Sequence, residues 1–534
     1  MLVKNKNIPS LINKVIDKIG NPVSKMVVLA TLESFGIRNI DVHHDYCLPT
    51  LSALADYIYS DLKSRDQDSL LNINERNPRK VAVSIPVSDY QWVKAGLFAK
   101  YYPLGIFHLM PVFIQVATII IYGYSLWAYM GFNTIQSTAV VLGVILGIVL
   151  SGGYVQIMGR QASFYWNHKE YYKAKVVSDR LMMYGIKGML FTFLIMFLIN
   201  GLTKPYPHAF VLITVIYAFL IGTLLLAIAP FYAIGQRWVI SVVIAICSVF
   251  ALFLHLKTEM HVYFSQWMGI LLSIMLSKIY LRFFFKSKIK KITENKVEPD
   301  KMMVIYKNYP YFFYGIFIYA FIFMDRIVAW SANMELSSEF PFLYEKSYEI
   351  GMDLAIIIFF MLAGVMEYAI ASFTKFMDIK QKTVLLSKKN VFGKKMFKIY
   401  RHHIGLLLIT AITAGIFLFF FVSRPWGYLA SFGETIDVIS TRVCIMGSVG
   451  YFFLSWGMLN ALYLFTLNRP KEVLKALIIS SFINFIVGFF MSRWIAFEYS
   501  VVGMLIGSFL FMILTTRYIK QYFNHLDFHY YASY

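Results

Sequence analysis

Twelve runs of about twenty apolar residues, separated by polar connections, restrict this chain more than any other feature of its 534 residues. They lie at approximately 104–129, 135–158, 183–202, 209–232, 238–256, 262–285, 311–330, 347–372, 404–423, 441–466, 471–493 and 498–519. Lipid offers no partner to backbone N–H and C=O groups, so each run must be a helix or belong to a closed barrel. The ten-residue alternating strands of a barrel are missing, and at 1.5 Å per residue a helix of about twenty residues crosses the hydrocarbon. The expected fold class is an all-α polytopic membrane protein with twelve transmembrane helices in two six-helix lobes. A small mixed α/β cytoplasmic domain is expected in front of them.

The formal net charge of +21 would suit a nucleic-acid binder if it were clustered on one soluble face. It is instead sorted among the connections. Those after spans two, four, six, eight and ten carry 27 Lys and Arg, against five (Lys204, Lys257, Lys346, Arg424, Arg493) on the opposite side. Basic residues stay in the cytoplasm, so both termini are expected inside and no nucleic-acid partner is expected. The opening "MLVKNKNIPSLINKVIDKIG" lacks the unbroken apolar core and cleavage site of a removable signal. Long basic loops at 160–182 and 373–403 each follow the second span of a six-span block, which suggests structural repeats with a pathway between them. The expected organisation is an N-terminal domain over 1–100, an N-lobe over 101–285, a linker over 286–310, a C-lobe over 311–519 and a tail over 520–534.

Within residues 1–100, Leu51, Leu54, Ala55, Ile58 and Leu62 recur at helical spacing, whereas Val81, Val83, Ile85 and Val87 alternate as a half-buried strand would. "WVKAGLFAKYYPLG", Trp92 to Gly105, mixes basic and aromatic residues and reads as an interfacial helix. "DVHHDYC" brings together Asp41, His43, His44, Asp45 and Cys47, yet ligands this crowded in an extended segment rarely converge on one ion, and a polar surface loop is the preferred reading. No metal site and no cofactor are expected. The three cysteines, Cys47, Cys247 and Cys444, are too scattered for a disulfide framework.

The polar residues inside the spans are the candidates for function, because an Asp or Arg at a helix centre costs about 2.5 to 3.5 kcal/mol unless it is paired or faces water. "FIFMDRIVAW" places Asp325 and Arg326 side by side in span seven, pointing about 100° apart, so each must look for a partner elsewhere. In span eight Glu349 and Asp353 share a face, and Glu367 returns to nearly that face about 21 Å along. Such a stripe suits a lined aqueous path, and it suits structural ion pairing equally well. Arg442 and Asn460 in span ten, with Asn484 in span eleven, complete the set. In the first lobe the polar residues are His108, Gln115 and Gln156, with Pro111 and Pro230 as kinks.

"YFFYGIFIYAFIFMDRIVAWS" followed by "YEKSYEIGMDLAIIIFFMLAGVMEYAIASFTKF" resembles spans seven and eight of the Pel exopolysaccharide exporter family. That family is a branch of the multidrug/oligosaccharidyl-lipid/polysaccharide (MOP) flippase superfamily. The resemblance is specific over 309–402 and architectural elsewhere, and the N-terminal domain departs from it. It implies export of a polysaccharide or lipid-linked sugar by alternating access in a bacterial inner membrane, beside a glycosyltransferase or other inner-membrane subunits. It carries Asp325, Arg326 and Trp330 over in span seven and Asp353 and Glu367 in span eight. Membrane lipids are the obligate surroundings, and coupling to protons or sodium is left open by the carboxylates. Two rival readings are a scaffold subunit of a secretion or motility complex and a membrane glycosyltransferase. Against the latter, the chain shows no Gly-rich phosphate loop and no paired-Asp metal motif.

Overall fold

The structure is a computed structural model and describes residues 8–19, 24–76, 87–107, 109–289, 301–332, 340–383 and 389–524. Four helices come first: α1 (Ile8–Ile19), α2 (Lys25–Ser34), α3 (Asn39–Tyr46) and α4 (Leu51–Arg76). Next are α5 (Val87–Phe107) and α6 (Met110–Tyr122), then α7 (Thr134–Asn167), α8 (Tyr171–Thr203), α9 (His208–Ala233), α10 (Arg237–Lys257) and α11 (Val262–Ile289). The second half holds α12 (Lys301–Trp330), α13 (Lys346–Thr383), α14 (Lys389–Ser423), the short α15 (Tyr428–Phe432), α16 (Val438–Thr466), α17 (Pro470–Trp494) and α18 (Ser500–Phe523). Among the described residues eleven helices are long and apolar enough to cross a membrane, and the pair Ala95–Phe107 and Met110–Tyr122, bent by 51°, makes a twelfth span. This is a multi-pass membrane protein.

Three expectations from the sequence are corrected. The described part of the N-terminal region is helical, not mixed α/β: α1, α2 and α4 bury Leu11, Val15, Val28, Leu32, Leu54 and Ile58 against one another. Val81, Val83 and Ile85 lie outside the described residues, and Val87 opens a helix. The segment around "DVHHDYC" is the helix α3, not an extended loop, and Asp41 is occupied by Arg38, whose Nε and backbone N–H donate to it at 3.1 and 2.9 Å. The first span is displaced: expected over 104–129, it runs over Ala95–Phe107 and Met110–Tyr122, bent by 51° next to the kink expected at Pro111. Pro111 in the first turn of α6 supplies no N–H to a preceding turn, and Gly123, at φ +64°, caps α6 after Tyr122, short of the expected end at 129.

The long basic loops are also mostly helix. After α7 the chain turns within 168–170, Lys169 taking φ +62°, and α8 begins at once. These helices continue past the apolar spans because basic residues there are good helix formers that need only water.

Packing repeats from one half to the other. In the first lobe α7 packs on α8 and α9, α6 on α10, and α11 on α9 and α10; in the second, α13 packs on α14 and α16, α12 on α17, and α18 on α16 and α17. Each of these relations in the first lobe recurs six spans later. The lobes meet along two seams, α7 with α12 and α5 with α13. Thus α5, expected as an interfacial helix of the N-terminal domain, lays Leu97, Phe98 and Tyr101 on the second lobe, while α6 belongs to the first.

Candidate functional site

Both seams are helix contacts so close that only glycine fits. A methyl added to Gly152 of α7 would fall 2.6 Å from the Gly315 carbonyl oxygen of α12, and one added to Gly105 of α5 would fall 2.7 Å from the Gly364 Cα of α13. Both contacts lie toward the end of the bundle that carries the basic connections. The same end is tied by polar contacts between lobes. Arg237 Nη1 at the start of α10 donates to Glu367 Oε1 of α13 at 2.9 Å, with side chains only 22% and 32% exposed. Arg160 Nη2 of α7 donates to Asn468 Oδ1, just after α16, at 3.0 Å, and its guanidinium lies 4.2 Å from the centroid of the Tyr311 ring. Glu367 is therefore a bridging residue at this end.

The other intramembrane charges gather near the opposite end, within the second lobe. Asp325 and Arg326 diverge as their 100° offset requires. Tyr348 donates its hydroxyl to Asp325 Oδ2 at 2.7 Å and lies 3.2 Å from Ser500 Oγ, which itself donates to the Asp325 carbonyl. Arg326 donates to Glu349 and, at 2.9 Å, to Asp353 Oδ1; Trp330 Nε1 donates to the second Glu349 oxygen at 2.9 Å. Asp325, Arg326, Trp330, Tyr348 and Glu349 are all buried. Two carboxylates, Glu349 and Asp353, share one guanidinium here, and a third, Asp325, lies beside them. Among the described residues, Asp325 Oδ1 and Arg326 Nε make no hydrogen bond, and the Tyr451 hydroxyl lies close to the Arg326 guanidinium.

Asp353 differs from its neighbours. Its side chain is 66% exposed, and between Ser347 and Thr374 of α13 it is the one exposed residue. Below it on the same face, Phe360 meets Phe113 of α6 with ring centroids 6.3 Å apart, and Gly364 and Glu367 lie under α5 and Arg237. The stripe that the sequence suggested is thus graded: Glu349 is buried in the lobe, Asp353 is exposed, and Glu367 is bridged to Arg237 at the basic end.

Arg442 and Asn460 lie apart from this cluster. Arg442 donates to Glu498, at the start of the last span, and Asn460 is buried, accepting from Tyr400 at 2.8 Å and donating to Thr516 at 2.9 Å. Asn484 donates to the Phe321 carbonyl at 3.1 Å. In the first lobe Gln115 holds Ser248 at 2.7 Å and the Leu126 N–H at 2.9 Å. His108 lies outside the described residues.

At the end away from the basic connections, the segment 340–345 between α12 and α13 crosses to the first lobe. Tyr206 donates to the Phe342 carbonyl at 2.7 Å, and the Tyr344 N–H donates to Thr138 Oγ1 at 2.9 Å. Burial pushes the Tyr206 phenol up to about 12. Sequence reasoning missed Arg237, Arg160 and Tyr348. A single Arg in a short connection reads as a topology signal, and a Tyr near a span end reads as part of an aromatic belt.

No protein-family model and no curated protein matches the sequence. Solved structures do match in shape. One is a eukaryotic MATE transporter, AtDTX14, with TM-score 0.57 and 11% identity over 80% of this chain and 96% of that one. Another is a multidrug resistance MATE family transporter of the MOP superfamily in an outward-facing conformation, with TM-score 0.56 and 12% identity over the same shares. A third, a MOP superfamily transporter from Pyrococcus furiosus described as having a binding pocket of reversed polarity, has TM-score 0.56 and 13% identity, again over 80% and 96%. At such identities the likeness concerns the fold: this chain has a MATE-like fold.

Proposed function

We propose that the chain is an alternating-access transporter that moves a polar, sugar-bearing polymer or lipid-linked sugar across a bacterial inner membrane. The basic end faces the cytoplasm, in keeping with the distribution of Lys and Arg. The conformation described here is closed at that end by the glycine seams and by Arg237–Glu367, and it leaves Asp353 open toward the other side.

Asp353 carries this reading. A carboxylate about 10 Å along a spanning helix, 66% exposed, cannot face hydrocarbon without a cost of about 2.5 to 3.5 kcal/mol, so it faces water between the lobes. A wet carboxylate set in an apolar wall can accept hydroxyl donors from a sugar. Behind it, Arg326, Glu349 and Asp325 form a buried reserve of excess negative charge with unsatisfied polar atoms. That cluster is where a coupling proton or sodium ion would act. Loading or unloading it would change how firmly Arg326 holds Asp353, and rocking of the lobes would do the rest. The sugar assignment rests on the resemblance in spans seven and eight. A glycosyltransferase beside the cytoplasmic end is the expected partner.

Asp353→Asn and Asp353→Glu, made in the producing cell, test the proposal. Export of sugar polymer should fall at least tenfold in the Asn variant with protein abundance unchanged and recover partly in the Glu variant. Unchanged export in Asp353→Asn would leave a scaffold role standing.

A further inference from the structure

Away from the lobe interface, α14 stands apart from the rest of its lobe. It packs on α13 and only thinly on α16, and it is the least buried of the spans. The gap between α13, α14 and α16 is a groove of about 580 Å³, walled by Leu354 and Ile358, by Ala411, Gly415 and Leu418, and by Phe452. That volume falls within the usual range of ligand sites. Its rim residues Ile412, Ile445 and Val449 are exposed, so the groove opens onto the membrane.

We infer that this groove binds one acyl chain of a phospholipid in the leaflet away from the basic end. The lining is apolar enough to reject water, and side chains facing a void forfeit dispersion contacts that hydrocarbon restores. From Thr441 to Phe452 it runs about 16 Å along α16, close to the ~15 Å thickness of one leaflet's hydrocarbon. Gly415 points to the same conclusion. A Cβ there would meet nothing within 4 Å, so no packing contact in the chain requires glycine, although glycine costs a helix about 1 kcal/mol relative to alanine. What it preserves is room in the groove.

The mouth is suited to a phosphate. Ser423 and Thr441 line that end of the groove, and the next residue after Ser423 is the exposed Arg424, with its guanidinium 5.8 Å from the centroid of the Phe420 ring. Trp426 follows, 63% exposed, as an aromatic anchor at headgroup level. With Ser423 lining an apolar slot one leaflet deep, a cation and an indole one and three residues further on are complementary to a phosphate headgroup with its tail in the slot. The inference needs only that the chain spans a membrane, so it stands or falls separately from the sugar-transport reading.

The test uses the full chain in vesicles containing phosphatidylglycerol with a diazirine in one acyl chain, with adducts mapped by peptide mass spectrometry. Wild type should give adducts concentrated on α14 and α16 within the groove. Gly415→Leu, which fills the groove, should reduce them at least fivefold while adducts on the lipid-facing side of α8 stay constant. Arg424→Ala should erase any preference for phosphatidylglycerol over phosphatidylcholine in that labelling. If Gly415→Leu fails to reconstitute, Ala411→Leu takes its place with the same expectation. Adducts spread evenly over α8 and α14, equal yields in the filled variants, or displacement by an isoprenyl phosphate at equimolar concentration would each overturn the assignment.

Discussion

Removing the bridge between Arg237 and Glu367 should loosen the basic end of the molecule. The pair spans the two lobes at 2.9 Å, and both side chains are less than one-third exposed. Exposed ion pairs contribute about 0.2 to 1 kcal/mol. With this much burial the upper figure applies, so loss of the pair shifts the balance between closed and open basic ends by about 1 kcal/mol, or roughly fivefold. Spin labels on the thiols of Lys169→Cys and Lys475→Cys, at two exposed positions on opposite lobes at that end, report the separation in double electron–electron resonance. The background should carry Ser at Cys47, Cys247 and Cys444. Arg237→Ala, Glu367→Ala and the double variant should each raise the long-distance population about fivefold. The double variant should add little to either single one, since both remove one interaction. Raising the salt concentration should shift the wild type in the same direction, because a partly exposed pair is screened. Single effects that simply add, or distance distributions identical to wild type, would refute the idea that this pair latches the lobes.

Arg326→Leu leaves Glu349 buried beside Trp330 without its cation, so stability should fall by about 3 to 5 kcal/mol, read as a lower midpoint in thermal unfolding of detergent-solubilised protein; Arg326→Leu with Glu349→Leu should recover much of it. Gly152→Leu drives a side chain into the Gly315 backbone and Tyr319, so the closed seam cannot form, and the same spin-label pair should report a permanently widened basic end. Asp437 caps α16, accepting the Ser440 N–H at 3.0 Å. Burial pushes its carboxyl up, but hydrogen bonds from Ser440 and Ser347 outweigh that and hold it below the ordinary carboxylate value. Because the folded value is depressed, the cap's contribution is full above about pH 3.9 and is lost as pH falls through the folded value. Asp437→Ala should therefore cost about 1 kcal/mol at pH 7 and less at strongly acid pH, measured by unfolding at both.

The spans were legible because lipid imposes one rule on every residue of a crossing helix, and their positions follow apolar runs closely from α7 to α18. The breaks were less legible. Pro111 reads as a kink, but Gly123 also ends α6, and the apolar run from 104 to 129 passes straight over it. Helix beyond the membrane, as in the last turns of α7 and the first of α8, leaves no mark in hydropathy, since Lys and Arg suit an exposed helix and a loop alike. Within the charged cluster, spacing predicted that Glu349 and Asp353 act together and that Asp325 and Arg326 separate. Spacing could not tell which carboxylate faces water. That depends on neighbouring helices distant in sequence: Tyr348 and Ser500 enclose Asp325, and Trp330 encloses Glu349, while among the described residues nothing comparable covers Asp353. Arg237 was counted as a topology charge because its partner lies 130 residues away. The superfamily suggested by spans seven and eight is that of the structural neighbours.

Thiol accessibility at position 353 tests the account most directly. In a background without the native cysteines, Asp353→Cys should react with a membrane-impermeant maleimide added from the side away from the basic end. It should react as fast as Lys346→Cys and far faster than Ile409→Cys, at a position exposed only to lipid. Opening the basic end with Arg237→Ala should slow that reaction and admit the reagent from the cytoplasmic side. If the Asp353→Cys thiol fails to react from either side, under conditions that label Lys346→Cys, no water reaches position 353, and the account is wrong.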